Sequence, residues 1–284
     1  MSARKKKKGF RRLWPIFLVF LAALAAFQLV RPDLRQDGAI PVNDGVGTIY
    51  IVPDPALPAD TSDSGDFIRQ GDAVLYTGSR YTASQGVDVS EWQQQIRWQE
   101  VADGGIDFAV IRCGYRRYAS GNLEQDSLFE ENYSAAGAAG LRRGVYFFSQ
   151  AISPEEAREE AVFVLQMLSG RALELPVFYD WETVTAEEGR ANGLDGETVT
   201  ACAAAFCQTV AQAGYTAGVY FNRQMGYHTY DLSPLADYTF WLAEPGKSPT
   251  FYYHTALWQY DHSGIVPGIN TAADRNLLFE ENPS

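Results

Sequence analysis

The feature that most constrains this chain is an alternation that starts near Ser84. Short apolar runs rich in β-branched and aromatic residues recur from there on, at Gly86–Val89, Phe108–Cys113, Gly144–Phe148, Pro176–Glu182, Ala217–Phe221, Thr239–Ala243, Ala256–Tyr260 and Asp274–Phe279. Runs of that length, bounded by turn residues, read as eight strands. Between the early ones the apolar spacing lengthens to a helical period. Ser153-Pro154-Glu155-Glu156 places a capping serine, a proline at the first helical position and two acids ahead of the core positions Ala157, Ala161, Leu165 and Leu168. Thr198–Ala213 is a second clear helix, and Gly214 is its left-handed stop. Each of the first four strands is followed by a helical stretch, whereas the gaps Asn222–Tyr238, Glu244–Thr255 and Asp261–Ala273 are short and rich in Pro, Gly and Tyr. The expected fold is α/β, a modified TIM-like barrel that has lost its later helices. Its ligand site belongs at the C-terminal ends of the strands. With 284 residues, 46% of them hydrophobic, the chain can bury one core of this size.

Ahead of the barrel the sequence changes character twice. Residues 1–12 carry Arg4, Lys5, Lys6, Lys7, Lys8, Arg11 and Arg12 and no acid. Leu13–Val30 follows, eighteen residues interrupted only by Pro15 and Gln28, just long enough to cross a bilayer as a helix. Cations before it and mixed charge after it put the N-terminus in the cytoplasm and the remainder outside, as a single-pass membrane protein. The alternative is a signal peptide cleaved near Ala25, in Ala23-Leu24-Ala25, which gives a secreted protein. Residues 31–80 hold five prolines, eight aspartates and six glycines and read as an extracytoplasmic stalk; inside it Gly47–Val52 and Ala73–Tyr76 are two β-like pieces, and whether they pack on the following domain stays open. The catalytic domain is then 81–284.

Of 23 cations and 35 acids, the basic head takes seven cations, so the chain beyond Arg12 carries a net −19. A domain so acidic offers no footprint for phosphate backbones, which excludes nucleic acid as the partner. Cys113, Cys202 and Cys207 are odd in number and sit in apolar patterns, Cys202 on one helical stripe with Val199, Phe206 and Val210, so they read as core residues and not as a disulfide framework. His228, His254 and His262 are scattered, and neither CxxC nor HExxH occurs, so no metal and no cofactor is expected.

The chemistry concentrates at strand ends. Tyr179-Asp180-Trp181-Glu182 closes an apolar strand with two carboxylates at i and i+2, on one face and about 6–7 Å apart at Cα. At a barrel mouth, repulsion and partial burial raise at least one of the two toward a value useful for general-acid catalysis. Asp88 ends the first strand and Asp274 opens the eighth, so four acids are candidates for convergence. The same ends carry Tyr115, Tyr146, Phe148, Tyr220, Trp241 and Trp258, aromatic platforms suited to the apolar faces of sugars. Acids and aromatics in one exported cleft point to a glycosidase.

These residues also carry a resemblance. Gly86-Val87-Asp88-Val89-Ser90 with Gln95-Ile96-Arg97-Trp98, then Phe108–Tyr115, Gly144–Phe148, Tyr179-Asp180-Trp181-Glu182, Gly218–Asn222, Trp241-Leu242-Ala243, Trp258-Gln259-Tyr260 and Asp274-Arg275-Asn276 resemble, in order, the motifs of the family 25 glycoside hydrolases, the Chalaropsis-type lysozymes. The resemblance covers Ser84–Phe279. It implies a barrel of eight strands and five helices that hydrolyses the β-1,4 bond between N-acetylmuramic acid and N-acetylglucosamine in peptidoglycan glycan strands. It implies that Glu182 is the general acid, that Asp180 orients the 2-acetamido group or helps to activate water, and that Asp88 and Asp274 bind sugar or tune the pair. Retention and inversion both stay open. Arg97, Phe147, Ala243-Glu244-Pro245 and Arg275 depart from the family pattern. Two rival readings are a non-catalytic, membrane-anchored glycan-binding scaffold and a chitinase-like β-N-acetylglucosamine hydrolase. The first is disfavoured because Asp180 and Glu182 are both present, the second because Val177-Phe178-Tyr179-Asp180-Trp181-Glu182 lacks the earlier acids of its D-x-x-D-x-D-x-E signature.

Overall fold

The structure, a computed structural model, describes residues 37–185 and 189–282. The basic head of residues 1–12 and the expected membrane span of 13–30 lie outside the described residues. Among the described residues no helix is long and apolar enough to cross a membrane.

The eight expected strands are all present: β1 (Tyr81–Val89), β2 (Phe108–Arg116), β3 (Arg142–Ser149), β4 (Val177–Trp181), β5 (Ala217–Asn222), β6 (Thr239–Ala243), β7 (Leu257–Gly264) and β8 (Ala273–Glu281). They pair in the order β1-β8-β7-β6-β5-β4-β3-β2, and a β1–β2 pairing closes the barrel. A short strand, Leu123–Gln125, adds to the edge of β2. The pairings from β1 through β7 are parallel, but β8 is antiparallel to both β7 and β1. That reversal brings the first residues of β8 to the same rim as the last residues of the other seven strands.

The barrel interior is filled by Phe108, Val110, Phe178, Tyr220, Trp241, Leu257 and Leu278. Two glycines make room for the largest rings. A Cβ on Gly86 would stand 2.1 Å from the Phe108 ring, and one on Gly218 would stand 2.4 Å from that of Phe178. Outside lie the helices α1 (Trp98–Asp103), α2 (Phe129–Ala138), α3 (Pro154–Leu168), α4 (Gly196–Gln212) and α5 (Arg223–His228). Ser153 caps α3, and Gly214 adopts φ 91° just past α4. Val199, Cys202, Phe206 and Val210 form the fully buried stripe of α4. Cys113 and Cys207 are buried and free as well.

One expectation is corrected and one open question is answered. The gap after β5 is not devoid of helix: Asn222 ends the strand and its Oδ1 accepts the Met225 N–H at 3.0 Å, so a capping asparagine starts α5 within a segment whose Tyr and Gly content suggested only loop. The sequence leaves open whether pieces of the stalk pack on the barrel, and they do: the Asp44 carbonyl accepts Gln224 Nε2 at 2.7 Å and its Oδ2 meets His228 Nε2 at 2.8 Å, both on α5, and contact resumes at Asp54. The Asp54 N–H donates to the Tyr253 hydroxyl (3.0 Å), the Asp60 N–H to the Tyr252 carbonyl (2.8 Å) and the His254 N–H to the Pro58 carbonyl (2.8 Å). Phe67–Gln70 and Ala73–Tyr76 form a hairpin in which Val74 is fully buried. The Phe67 ring meets Trp258 at 5.4 Å and Phe279 at 6.1 Å. The physical reason lies in the missing helices. The outer faces of β7 and β8 are apolar and have no helix of their own, and the hairpin covers them. Average composition conceals this, because only a few residues, chiefly Leu57, Phe67, Val74 and Tyr76, make the contact.

Candidate active site at the barrel mouth

Alternation along β4 sorts its side chains. Tyr179 points outward, its ring 5.2 Å from Phe206, and its hydroxyl shares a 3.0 Å hydrogen bond with Ser149 Oγ. Phe178 points inward, 5.1 Å from Trp241. Asp180 follows on the same inner face, and Glu182 continues the phase one residue beyond the strand. Asp180 is only 5% exposed, and its Oδ1 has no partner among the described residues. Glu182 is half-buried. The two carboxyls are in-phase neighbours on this face, and the charge of Glu182 is one cause of the raised value of Asp180.

The other two acids face them. Asp88, at the end of β1, stands opposite Asp274 in the β1–β8 register. Asp88 Oδ2 accepts Gln259 Nε2 and Asn276 Nδ2, both at 2.8 Å, and Gln259 Nε2 also reaches Asp274 Oδ2 at 3.2 Å. All four acids singled out in the sequence are therefore brought to one rim.

Their charges cannot coexist there in full. Burial, then the charges of Glu182 and Asp88, raise Asp180 well above the ordinary carboxylate range. Burial and the charge of Asp88 raise Glu182. Burial and the charge of Asp274 push Asp88 up to about 8, and burial is the main cause that lifts Asp274 to about 6. Arg112 opposes this trend at Asp180. It is itself held by Asp126 at 2.7 Å and Glu91 at 3.0 Å, and lies 5.1 Å over the Tyr115 ring.

The aromatic candidates divide into three groups. Tyr115 and Phe148 line a cleft of about 780 Å³ beside the acids, together with Trp92, Arg112, Tyr118 and Val184. Tyr146, Tyr220 and Trp241 lie deeper. The Tyr146 ring is 6.0 Å from Trp241, the Tyr220 hydroxyl donates to Gln259 Oε1 at 3.0 Å, and Trp241 Nε1 donates to Asn276 Oδ1 at 2.8 Å. Trp241 is 1% exposed, so it forms the floor that orients the amide holding Asp88 and offers no open platform. Trp258 is a correction. It has no exposed surface, packs outward beneath Phe67, and donates Nε1 to the Glu244 carbonyl at 2.8 Å. The inward position in Trp258-Gln259-Tyr260 belongs to Gln259.

Gln259 and Asn276, missed by the sequence reading, carried a usable signal: each sits at the in-phase position of its strand, Asn276 at i+2 from Asp274. Trp92, 72% exposed at the cleft, and Tyr118 lay in loops where no periodicity pointed to them. The departures are accounted for as well. Arg275 is buried on the outer side against Gly264 and Tyr260, away from the acids, and Phe147 packs outward on Phe163 at 6.2 Å. Glu244 is held by Arg223, Thr250 and the Phe251 N–H.

Comparison with known proteins agrees with this geometry. The family model "Glycosyl hydrolases family 25" matches residues 87–269, well over half of the chain. Lysozyme M1 of Streptomyces globisporus is 27% identical over 205 residues, covering 68% of this chain and 66% of that protein. The solved structure of a bacterial lysozyme from Streptomyces coelicolor superposes with a TM-score of 0.55 at 25% identity, covering 72% of this chain and 94% of that one. The modular autolysin LytC of Streptococcus pneumoniae, solved with a synthetic peptidoglycan ligand, shares the fold with a TM-score of 0.63 at 21% identity, over 86% of this chain and 57% of that longer chain. The chain belongs to the family 25 glycosyl hydrolases.

Proposed function

We propose that this protein is a peptidoglycan muramidase that hydrolyses the β-1,4 bond between N-acetylmuramic acid and N-acetylglucosamine. The observation that carries this reading is the carboxyl pair Asp180 and Glu182 on the inner face of a family 25 barrel, with Asp88 and Asp274 opposite. Glu182 is the less buried member of the pair, and serves to hand a proton to the leaving glycosidic oxygen. Asp180, deeper and next to Arg112, orients the 2-acetamido group or the attacking water. Asp88 and Asp274, joined through Gln259, keep the negative potential that favours a proton on the pair and stabilises positive charge at the reacting carbon. Tyr115, Phe148 and the newly found Trp92 and Tyr118 form the walls on which sugar rings stack.

The enzyme is further proposed to act from the outer face of a membrane, held by the apolar segment 13–30 behind its pentabasic flank, on the wall of its own cell. Detection of the intact chain in the membrane fraction, released by detergent but not by salt, supports the anchor; a soluble product shortened to near Ala25 contradicts it.

The test of activity is digestion of purified peptidoglycan by the full chain and by Glu182→Gln, with released fragments identified by mass spectrometry. Muropeptides with reducing-end N-acetylmuramic acid from the parent and none from the variant are expected. Intact glycan in both samples, with both proteins folded, sinks the reading, and cleavage of chitin oligomers alone moves it to a chitinase-like enzyme.

A further inference from the structure

Glu182 stands one residue beyond β4, and the sheet ends before it. Pairing with β3 stops at Ser149↔Trp181, and pairing with β5 stops at Tyr220↔Asp180. The main chain under the acid therefore has no strand partner, although catalysis demands that its carboxyl be held to within a fraction of an ångström.

Two side-chain amides occupy the place of the missing ladder. Gln150 follows the last residue of β3 and is fully buried. Its Nε2 donates to the Ser149 carbonyl at 3.0 Å and to the Glu182 carbonyl at 3.1 Å, so its two hydrogens tie the ends of β3 and β4 together one step past the sheet. Two residues on, the Val184 N–H donates to Asn192 Oδ1 at 2.8 Å, and Asn192 Nδ2 donates back to the Val184 carbonyl at 2.6 Å. Gln150 is itself fixed. Arg190 Nη1 donates to its carbonyl at 3.3 Å, and the same guanidinium pairs with Glu156 of α3 at 2.7 and 2.8 Å.

We propose that Gln150 and Asn192 are the positioning residues of Glu182, fixing the main chain of residues 182–184 in place of a strand partner. The proposal rests on the reading of Glu182 as the general acid. It requires that loss of either amide lower the chemical rate far more than it weakens sugar binding, because neither side chain lines the cleft and Val184 is the one residue of the segment they hold that does.

The test compares the full chain with Gln150→Met, Asn192→Ala and Glu182→Gln on purified peptidoglycan. Val210→Ala, in the buried stripe of α4, serves as the control for general destabilisation. The expected result is a kcat lower by about tenfold or more in Gln150→Met and Asn192→Ala, with KM within about twofold of the parent. Val210→Ala keeps the parent kcat below its melting temperature. Parent kcat in either folded amide variant overturns the proposal, and so does an equal loss in Val210→Ala. Should Gln150→Met fail to fold, Asn192→Ala decides, since Asn192 is only half-buried. Amide exchange separates this proposal from the functional reading. If the parent cleaves no glycan, the muramidase assignment fails, while faster exchange of the Val184 amide in the amide variants still supports the positioning role and unchanged exchange overturns it.

Discussion

Four carboxyls at one rim oppose each other, and the cost is borne by the folded state. A carboxyl whose value in the fold lies above its unfolded value stabilises the fold fully below the unfolded value, and that contribution is lost as pH rises through the folded one. For Asp88 the window runs from the ordinary aspartate range up to about 8. Asp88→Asn is therefore expected to raise Tm at pH 8, on the order of 2–4 °C for a domain of this size, and to leave Tm nearly unchanged at pH 4. Thermal melts at the two pH values check this, and equal shifts at both contradict it. The same repulsion sets the rate profile. Glu182 is raised, so activity should fall on an alkaline limb lying above the ordinary carboxylate range. Glu182→Gln should lower kcat by about 10² to 10⁴ with Tm not reduced. A variant that retains activity, or a limb at the value of a free glutamate, removes Glu182 from the acid role.

At the scale of elements, the phase of each strand decides which of two neighbouring residues serves the site. In β7, Trp258 faces out and Gln259 faces in, although the tryptophan is the residue a sequence reader notices first. Trp258→Ala should cost about 3–5 kcal/mol of stability, read by denaturant unfolding, with KM unchanged below the transition. Trp92→Ala should do the reverse, raising KM several-fold while Tm stays put, because Trp92 stands exposed at the cleft with no buried contact to lose. A KM increase in Trp258→Ala, or a stability loss in Trp92→Ala, would reverse these placements. Tyr220 and Trp241 lie between the two cases. Their polar atoms hold Gln259 and Asn276, so they act on sugar only through the acids that those amides orient.

On the scale of the whole molecule, the barrel is incomplete without the chain that precedes it. Among the described residues three helices of a regular β/α barrel are missing, and residues 54–80 cover the outer faces of β7 and β8. A chain starting at Asp54 loses the contacts of Asp44 with His228 and Gln224 of α5 but keeps the hairpin, and should melt only slightly below the full protein. One starting at Tyr81 exposes Trp258, Tyr260 and Phe279 and should melt at least several degrees lower, or aggregate. Equal melting temperatures for the two truncations would mean that the hairpin adds nothing. The reach of any tether is shortened accordingly, since residues that pack on the barrel cannot also span the distance from a membrane.

Much of this was legible in the sequence because it depends on local periodicity. Period-two runs gave the eight strands, and the i, i+2 spacing of Asp180 and Glu182 placed both on one face before any tertiary contact was considered. Turn and cap residues such as Ser153 and Gly214 marked helix ends because they act within a few bonds of themselves. What periodicity does not encode was decided by the tertiary structure. Whether a strand's apolar face looks into the barrel or under a hairpin depends on which neighbour covers it, and that displaced Trp258 from the site. The capping of α5 by Asn222 was local but short, and a six-residue helix leaves little pattern. Above all, the pairing of Asp88 with Asp274, 186 residues apart, follows from one strand running antiparallel in an otherwise parallel barrel. Closure sets that register, and closure is a property of all eight strands at once.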